Sequence, residues 1–202
     1  MLPLRSRTPD DWASGVLSEP LLLLNDHAHL EKKAAANALE LLVRWPESAP
    51  VGTAESWTTA MTAVARDEAE HLAAVTRLLY RRGGAMSKQH ANPYAAELRR
   101  MVRKGGAGEL VDRLLVSALI EVRSCERFEV LGRNCEDGQL ARLYRGLWAS
   151  EHGHYLTFLR LAERVVPPGQ VQRRWEDMLD AEAAILASQT PGPRMHSGCR
   201  SP

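Results

Sequence analysis

The sequence predicts an all-α protein: a four-helix bundle with one crossover connection and extra helices at its ends. Three observations carry this expectation. Apolar residues recur at intervals of three and four along four long segments. No segment alternates apolar and polar residues in the manner of a half-buried strand. Turn signals divide the four segments into two hairpins, and a much longer Gly- and Pro-containing connector separates them.

The elements follow in order. Thr8-Pro9-Asp10-Asp11 reads as the start of a short helix, with Thr8 as N-cap and Pro9 at the first helical position. Residues 1–20 are therefore expected to form an N-terminal segment with one short helix. The first long helix is expected over Leu21–Arg44, with Leu24, Ala28, Ala35, Ala38 and Leu42 along roughly one face. Pro46 and Pro50 bracket the loop after it. The second is expected over Ser56–Arg81, closed by Gly83-Gly84. The connector runs from Gly83 to Gly108 and has room for a short helix at Tyr94–Arg103. The third long helix is expected over Glu109–Arg133 and the fourth over Gln139–Arg164, with a tight turn at Asn134–Gly138 between them. Pro167-Pro168 ends the fourth, and Val171–Ser188 reads as one more helix. Residues 21–188 form the expected helical domain. The composition of residues 189–202, QTPGPRMHSGCRSP, reads as a disordered tail.

The chain has 202 residues, of which 45% are hydrophobic and 25% charged, enough for a core without disulfides. The longest bare apolar run is Leu21–Leu24, so no membrane span is expected. The first residues lack the apolar stretch of a secretory signal. Cys125, Cys135 and Cys199 form no CxxC pair, which argues against a cysteine zinc site and for a reducing, cytoplasmic setting. Net charge is +1, but eight cations against one anion, Glu97, lie between Arg77 and Lys104. That block either meets a polyanion or is a solvated face.

Two Glu-x-x-His motifs stand out, Glu68–His71 and Glu151–His154. Each puts one carboxylate and one imidazole on the same side of a helix. The local pattern is cheap, since Asp26–His29 also spells acid-x-x-His. The hairpin register adds the weight. Residues equidistant from a turn lie level in an antiparallel pair. The midpoint between Glu31 and the Glu68/His71 pair falls inside the Pro46–Gly52 loop. The midpoint between Glu121 and the Glu151/His154 pair falls inside the Asn134–Gly138 turn. Each hairpin thus offers Glu on its first helix and Glu-x-x-His on its second, which is the ferritin-like dinuclear carboxylate pattern. Glu31, Glu68, His71, Glu121, Glu151 and His154 are the candidate ligands, and their hard oxygens suit iron or manganese better than zinc. Glu126 competes with Glu121 but mirrors through a point past the turn. His27, one turn before Glu31, is either a hydrogen-bond partner of that carboxylate or simply packed. Cys125, Tyr80 and Tyr155 read more readily as packing residues than as redox groups.

The stretches LLNDHAHLEKKAAANAL, ARDEAEHLAAV, NPYAAELRRMVRKG, ELVDRLLVSALIEVRSCERFEVL and ASEHGHYLTFLRLAE resemble the tRNA methylthio-isopentenyladenosine hydroxylase family. IEVRSCERF is the most specific of these segments, and the likeness covers about Leu21 to Glu163. The resemblance implies a non-haem di-iron mono-oxygenase that uses dioxygen to hydroxylate the isopentenyl side chain of an adenosine beside the tRNA anticodon. It assigns the iron to the six residues above and makes Arg99, Arg100, Arg103 and Lys104 the candidate tRNA contacts. The chain carries no GxGxxG and no CxxC motif, so electrons are expected from an external reductase. The rival readings are a ferritin-like ferroxidase without a nucleic-acid substrate and a metal-free helical interaction module.

Overall fold

The computed structural model describes residues 1–46 and 51–199. Among these residues seven helices run in the order α1 (Asp10–Leu17), α2 (Pro20–Leu41), α3 (Thr53–Arg81), α4 (Pro93–Arg100), α5 (Gly106–Asn134), α6 (Gly138–Val165) and α7 (Pro168–Ser188). There is no strand among the described residues. Helices α2 and α3 pack as one hairpin, α5 and α6 as the other, and α3 meets α6 across the bundle. The connector carrying α4 makes the single crossover of a ferritin-like bundle, while α7 lies against α4, α5 and α6.

Local chemistry sets the ends. Helix α2 begins with Pro20 at its first position and stops at Leu41, three residues short of Arg44. Pro46 biases the residue before it away from helical geometry. The Leu41 carbonyl, in the last turn, accepts from Arg44 N–H at 3.0 Å and from Trp57 Nε1 at 2.9 Å. Pro50 lies outside the described residues. Helix α3 begins at Thr53, three residues earlier than expected. It ends with Gly83 at φ 80°. There Gly83 N–H donates to the Tyr80 carbonyl and Gly84 N–H to that of Leu79, the paired bonds of a Schellman motif. Asn92 caps α4 through Ala95 N–H. That helix ends at Arg100 rather than Arg103, because Arg103 N–H donates to Asp112 Oδ2 instead of extending the turn. Asp137 caps α6 by accepting from Gln139 and Leu140 N–H, each at 3.0 Å.

Two expectations at the ends of the chain are corrected. Helix α1 starts at Asp10, with Pro9 rather than Thr8 in the capping position. Thr8 N–H and its hydroxyl instead both donate to Glu126, a tertiary bond that outcompetes the local one. The tail is not disordered over the described residues 189–199: Met195, His196 and Ser197 are buried. Met195 N–H donates to Asp26 Oδ2 at 2.8 Å. Trp12 Nε1 donates to Ser197 Oγ and Arg127 to the Ser197 carbonyl, both at 3.0 Å. Buried side chains of the bundle thus supply the partners that this segment, having no helix or strand, lacks. Residues 200–202 lie outside the described part.

The core falls into two apolar clusters. One holds Ala38, Leu41, Trp57, Met61, Val64, Leu114, Phe158 and Leu161, near the α2–α3 loop. The other holds Leu23, Leu24, Val75, Leu78, Phe128, Leu140 and Tyr144, toward the opposite end. Between them, at mid-height on all four long helices, lies a buried polar layer.

Candidate metal centre

That layer contains Glu31 from α2, Glu68 and His71 from α3, Glu121 from α5, and Glu151 and His154 from α6, all buried. The structure brings the six together in two interlocking groups. Glu31, Glu68, His71 and Glu151 offer ligand atoms within 4.8 Å of one another, and so do Glu68, Glu121, Glu151 and His154. Glu68 and Glu151 belong to both groups. Each hairpin therefore contributes at the same level, as antiparallel register requires.

Both imidazoles present Nδ1 to the carboxylates. His71 Nδ1 lies 3.0 Å from Glu151 and 3.5 Å from Glu31. His154 Nδ1 lies 2.7 Å from Glu68 and 3.3 Å from Glu151. The other nitrogen of His154 faces Ser150 Oγ at 3.4 Å and Asp67 Oδ2 at 3.5 Å. Such an outer partner fixes ring orientation in metal sites. His27 Nε2 sits 2.5 Å from Glu31 Oε1, and its ring packs beside Phe128 and Tyr144.

The charges explain why this layer is not at rest by itself. Burial, then repulsion from Glu151 and Glu31, pushes the Glu68 carboxyl up to about 8. Burial and the charges of Glu68 and Glu151 drive Glu121 well above the carboxylate range. Burial also opposes ionisation of Glu31, but His27, with help from His71 and Glu68, outweighs it and holds that carboxyl low. Glu151 is likewise lowered: burial and Glu31 raise it, while His154, His71 and Glu121 bonding prevails. Burial disfavours the imidazolium forms, yet the surrounding carboxylates raise His71 to about 12 and His154 to about 10. Protons are thus doing the neutralising among four buried carboxylates. Glu68 Oε1 and His71 Nδ1 are buried without a hydrogen bond of good geometry despite these short approaches. Lone pairs converging on shared points, with four carboxylates able to balance two divalent cations, fit a dinuclear metal site.

The neighbours sort themselves out. Glu126 faces away, taken by Thr8 and Arg123, so it does not compete with Glu121. Cys125 packs in the apolar core with Sγ 3.8 Å from the Trp148 carbonyl. Tyr155 packs beside Trp175, and Tyr80 is exposed. A cleft of about 600 Å³ between α2, α4 and α5 reaches Glu121 from the surface. Arg99 stands on its lining. Arg99, Arg100, Arg103 and Lys104 are all exposed, but Arg103 is clamped by Asp112 through Nε and Nη2, each at 2.8 Å. Asp67, Ser150 and the cleft residues Lys33, Asn37 and Arg113 were not singled out by sequence. Asn37 is six residues beyond Glu31 and about 120° around the helix from it, so no shared-face spacing to the ligands marks it in the sequence.

The pattern of the family described as tRNA-(MS[2]IO[6]A)-hydroxylase (MiaE) matches residues 2–197 of this chain. The chain belongs to this hydroxylase family. A curated relative from Pseudomonas putida, named tRNA 2-(methylsulfanyl)-N(6)-isopentenyladenosine(37) hydroxylase, is 38% identical over 191 residues, covering 95% of this chain and 90% of that protein. One of the same name from Salmonella typhimurium is 30% identical over 138 residues, covering 68% of this chain and 50% of that protein. The hydroxylase fold also aligns with a solved structure titled Protein 43 with aldehyde deformylating oxygenase activity from Synechococcus. There the TM-score is 0.86 and the identity 34%, over 96% of each chain. Among the described residues no helix is long and apolar enough to cross a membrane.

Proposed function

We propose that this chain hydroxylates the isopentenyl side chain of a (methylthio-)isopentenyladenosine next to the tRNA anticodon. Two iron ions held by Glu31, Glu68, His71, Glu121, Glu151 and His154 would serve it, with dioxygen as co-substrate. The observation that carries this reading is the pair of interlocking ligand groups, reached at Glu121 by an open cleft, in a member of the hydroxylase family. When bound, the iron supplies the oxygen activation that an unactivated or allylic C–H bond demands and that acid–base groups alone cannot provide.

The chain's own residues do the rest. Glu31 and His71 would hold one ion and Glu121 and His154 the other, with Glu68 and Glu151 available to both. Asp67 and Ser150 hold the His154 ring, and His27 holds Glu31, so the donor atoms are oriented before the metal arrives. The apolar clusters on either side of the layer bury the ligands from above and below. Arg99, Arg100, Arg103 and Lys104 offer positive charge beside the cleft for the tRNA backbone, Arg103 in the orientation set by Asp112. Electrons come from an external reductase, and the reaction belongs in the cytoplasm.

The test is incubation of reduced, iron-loaded protein with prenylated tRNA under labelled dioxygen, followed by digestion to nucleosides. One labelled oxygen on the side chain is the expected result. Label drawn from water, or turnover without oxygen, sinks the reading. Iron oxidation with unchanged tRNA would hand the site to the ferroxidase reading.

A further inference from the structure

The cleft above Glu121 has an internal order that the proposed reaction leaves unused. One apolar cluster contains the C-terminal half of α2 and the N-terminal half of α5, so these two helices run antiparallel along the cleft. Leu30, Ala34 and Ile120 line it near Glu121, with Val116 farther along beside Ser117. Farther along stand Asn37 and Ser117, and then Arg113, which is bound to Glu40 at 2.6 Å. Lys33 and Arg99 lie on the same lining. The cleft thus passes from carboxylate to apolar, to amide and hydroxyl, to the Arg113–Glu40 ion pair with Glu109 beside it.

Asn37 is partly buried, and its Nδ2 donates to Ser117 Oγ at 2.9 Å. Ser117 Oγ in turn donates to the Arg113 carbonyl at 2.9 Å. The amide plane is therefore held, while Oδ1 and the second Nδ2 hydrogen make no other bond among the described residues. A held carboxamide with one donor and one acceptor to spare matches the N6–H and N7 edge of adenine. An adenine carrying one alkyl group on N6 still keeps one N6–H.

The spacing agrees. Ser117 precedes Glu121 by four residues, about 6 Å along the helix axis. An extended isopentenyl group spans about 5 Å from N6 to its terminal methyl carbons, from ordinary bond lengths. Resting on the function proposed above, we propose that Asn37, held by Ser117, reads the adenine edge. The isopentenyl chain then runs between Ala34 and Ile120 toward Glu121. Lys33 faces the flanking phosphate. Its Nζ lies 2.8 Å from His90 Nδ1, and His90 Nε2 lies 2.7 Å from Asp26, so its position is fixed from behind.

The experiment uses iron-loaded protein and three anticodon-arm hairpins: prenylated adenosine, the same base as 7-deazaadenine, and unprenylated adenosine. Anaerobic binding is read by fluorescence anisotropy and turnover by kcat/KM. With the unaltered protein, 7-deaza substitution should weaken binding and lower kcat/KM about tenfold. In Asn37→Ala the prenylated hairpin should itself bind about tenfold more weakly, with the 7-deaza change costing nothing further. Asn37→Asp, which keeps the side-chain shape, should show the same insensitivity. Iron content should stay unchanged in both variants. Ala34→Phe should abolish the preference for prenylated over unprenylated hairpin.

A 7-deaza change that costs the unaltered protein nothing, or costs Asn37→Ala as much as the unaltered protein, overturns the assignment. Absence of hydroxylation by the unaltered protein counts against the reaction. The binding arm still decides the role of Asn37 in that case.

Discussion

Replacing Arg123 with methionine should cost this fold more than any change to a metal ligand. Arg123 is fully buried on α5. It donates through Nε and Nη2 to the two oxygens of Glu182 on α7, each at 2.9 Å, and through Nη1 to Glu126 at 3.0 Å. Glu182 also accepts from Tyr94 of the α4 segment, and Glu126 from Thr8. Ser6 Oγ accepts from Arg123 Nη2 at 3.0 Å. One guanidinium therefore joins the N-terminal segment, α4, α5 and α7. Methionine fills much of the volume but leaves Glu182 buried without a cation and Glu126 with only Arg127, 3.9 Å away. Breaking a buried pair from one side costs about 3–5 kcal/mol. For a chain of this size that lowers Tm by about 6–20 °C. Urea denaturation followed by circular dichroism, on metal-free protein, measures it. The loss should be smaller at pH 5 than at pH 8. An uncompensated buried carboxyl has its folded pKa raised, so its stabilising contribution is present at low pH and lost as pH rises. Arg123→Met/Glu182→Met should recover part of the loss, because an apolar pair leaves no orphaned charge. A single-variant loss under about 1 kcal/mol, or a double variant weaker than the single, would refute the reasoning.

Other outcomes follow from the same structure. Glu31→Ala or Glu121→Ala should bring iron, measured by elemental analysis, well below two per chain, whereas Glu126→Ala should keep the iron and lose stability. In metal-free protein Glu68 titrates near 8, His154 near 10 and His71 near 12, all above ordinary values of 4.5 and 6.5. Each raised group stabilises the fold at low pH and ceases to as pH climbs. Melting temperature of the metal-free protein should thus fall from about pH 5 to pH 9, and added ferrous or manganous ion should release protons and flatten the profile. Neutralising Arg99, Arg100 and Lys104 should lower the salt slope of tRNA binding by a little under one for each phosphate that is no longer paired, read from titrations at several ionic strengths. Arg103→Gln should instead destabilise the fold, since buried Asp112 keeps only Arg174 as its ionic partner. Asp137→Ala should cost about 1 kcal/mol through loss of the α6 cap, measurable in urea.

The register of the two hairpins was legible because antiparallel helices joined by short turns obey a linear rule. Once the turns at Pro46–Gly52 and Asn134–Gly138 are placed, the level of Glu31 and Glu121 follows by counting. Helix ends were less legible. Arg103 could have extended α4, and only the position of Asp112, nine residues on, draws its N–H away. Thr8 looked like a cap for the same reason: its partner, Glu126, is 118 residues distant. The tail is the extreme case. Its Pro, Gly and Ser composition describes a segment with no helix or strand, which is correct over residues 189–199, where only turns form. What orders it are Asp26, Trp12 and Arg127, whose free hydrogen-bonding groups cannot be inferred from the tail itself. Likewise Glu182 and Arg123 are ordinary charges in a string of letters and become partners only across the α5–α7 contact. Asn37 is legible as a cleft residue only after the ligand level is known, because its meaning is a distance from Glu121.

The bond from Met195 N–H to Asp26 ties the C-terminal segment to α2, beside the mouth of the cleft. Asp26 gives its other oxygen to His90, and His90 holds Lys33. During synthesis α2 is made early, and Asp26 must wait until residue 195 has emerged from the ribosome before its second oxygen is satisfied. The bundle helices can assemble while translation continues, but the cleft mouth cannot reach its final arrangement. A nascent chain that had already collected iron would still lack a finished rim, and would be poorly suited to compete for the tRNAs crowded around the machine producing it.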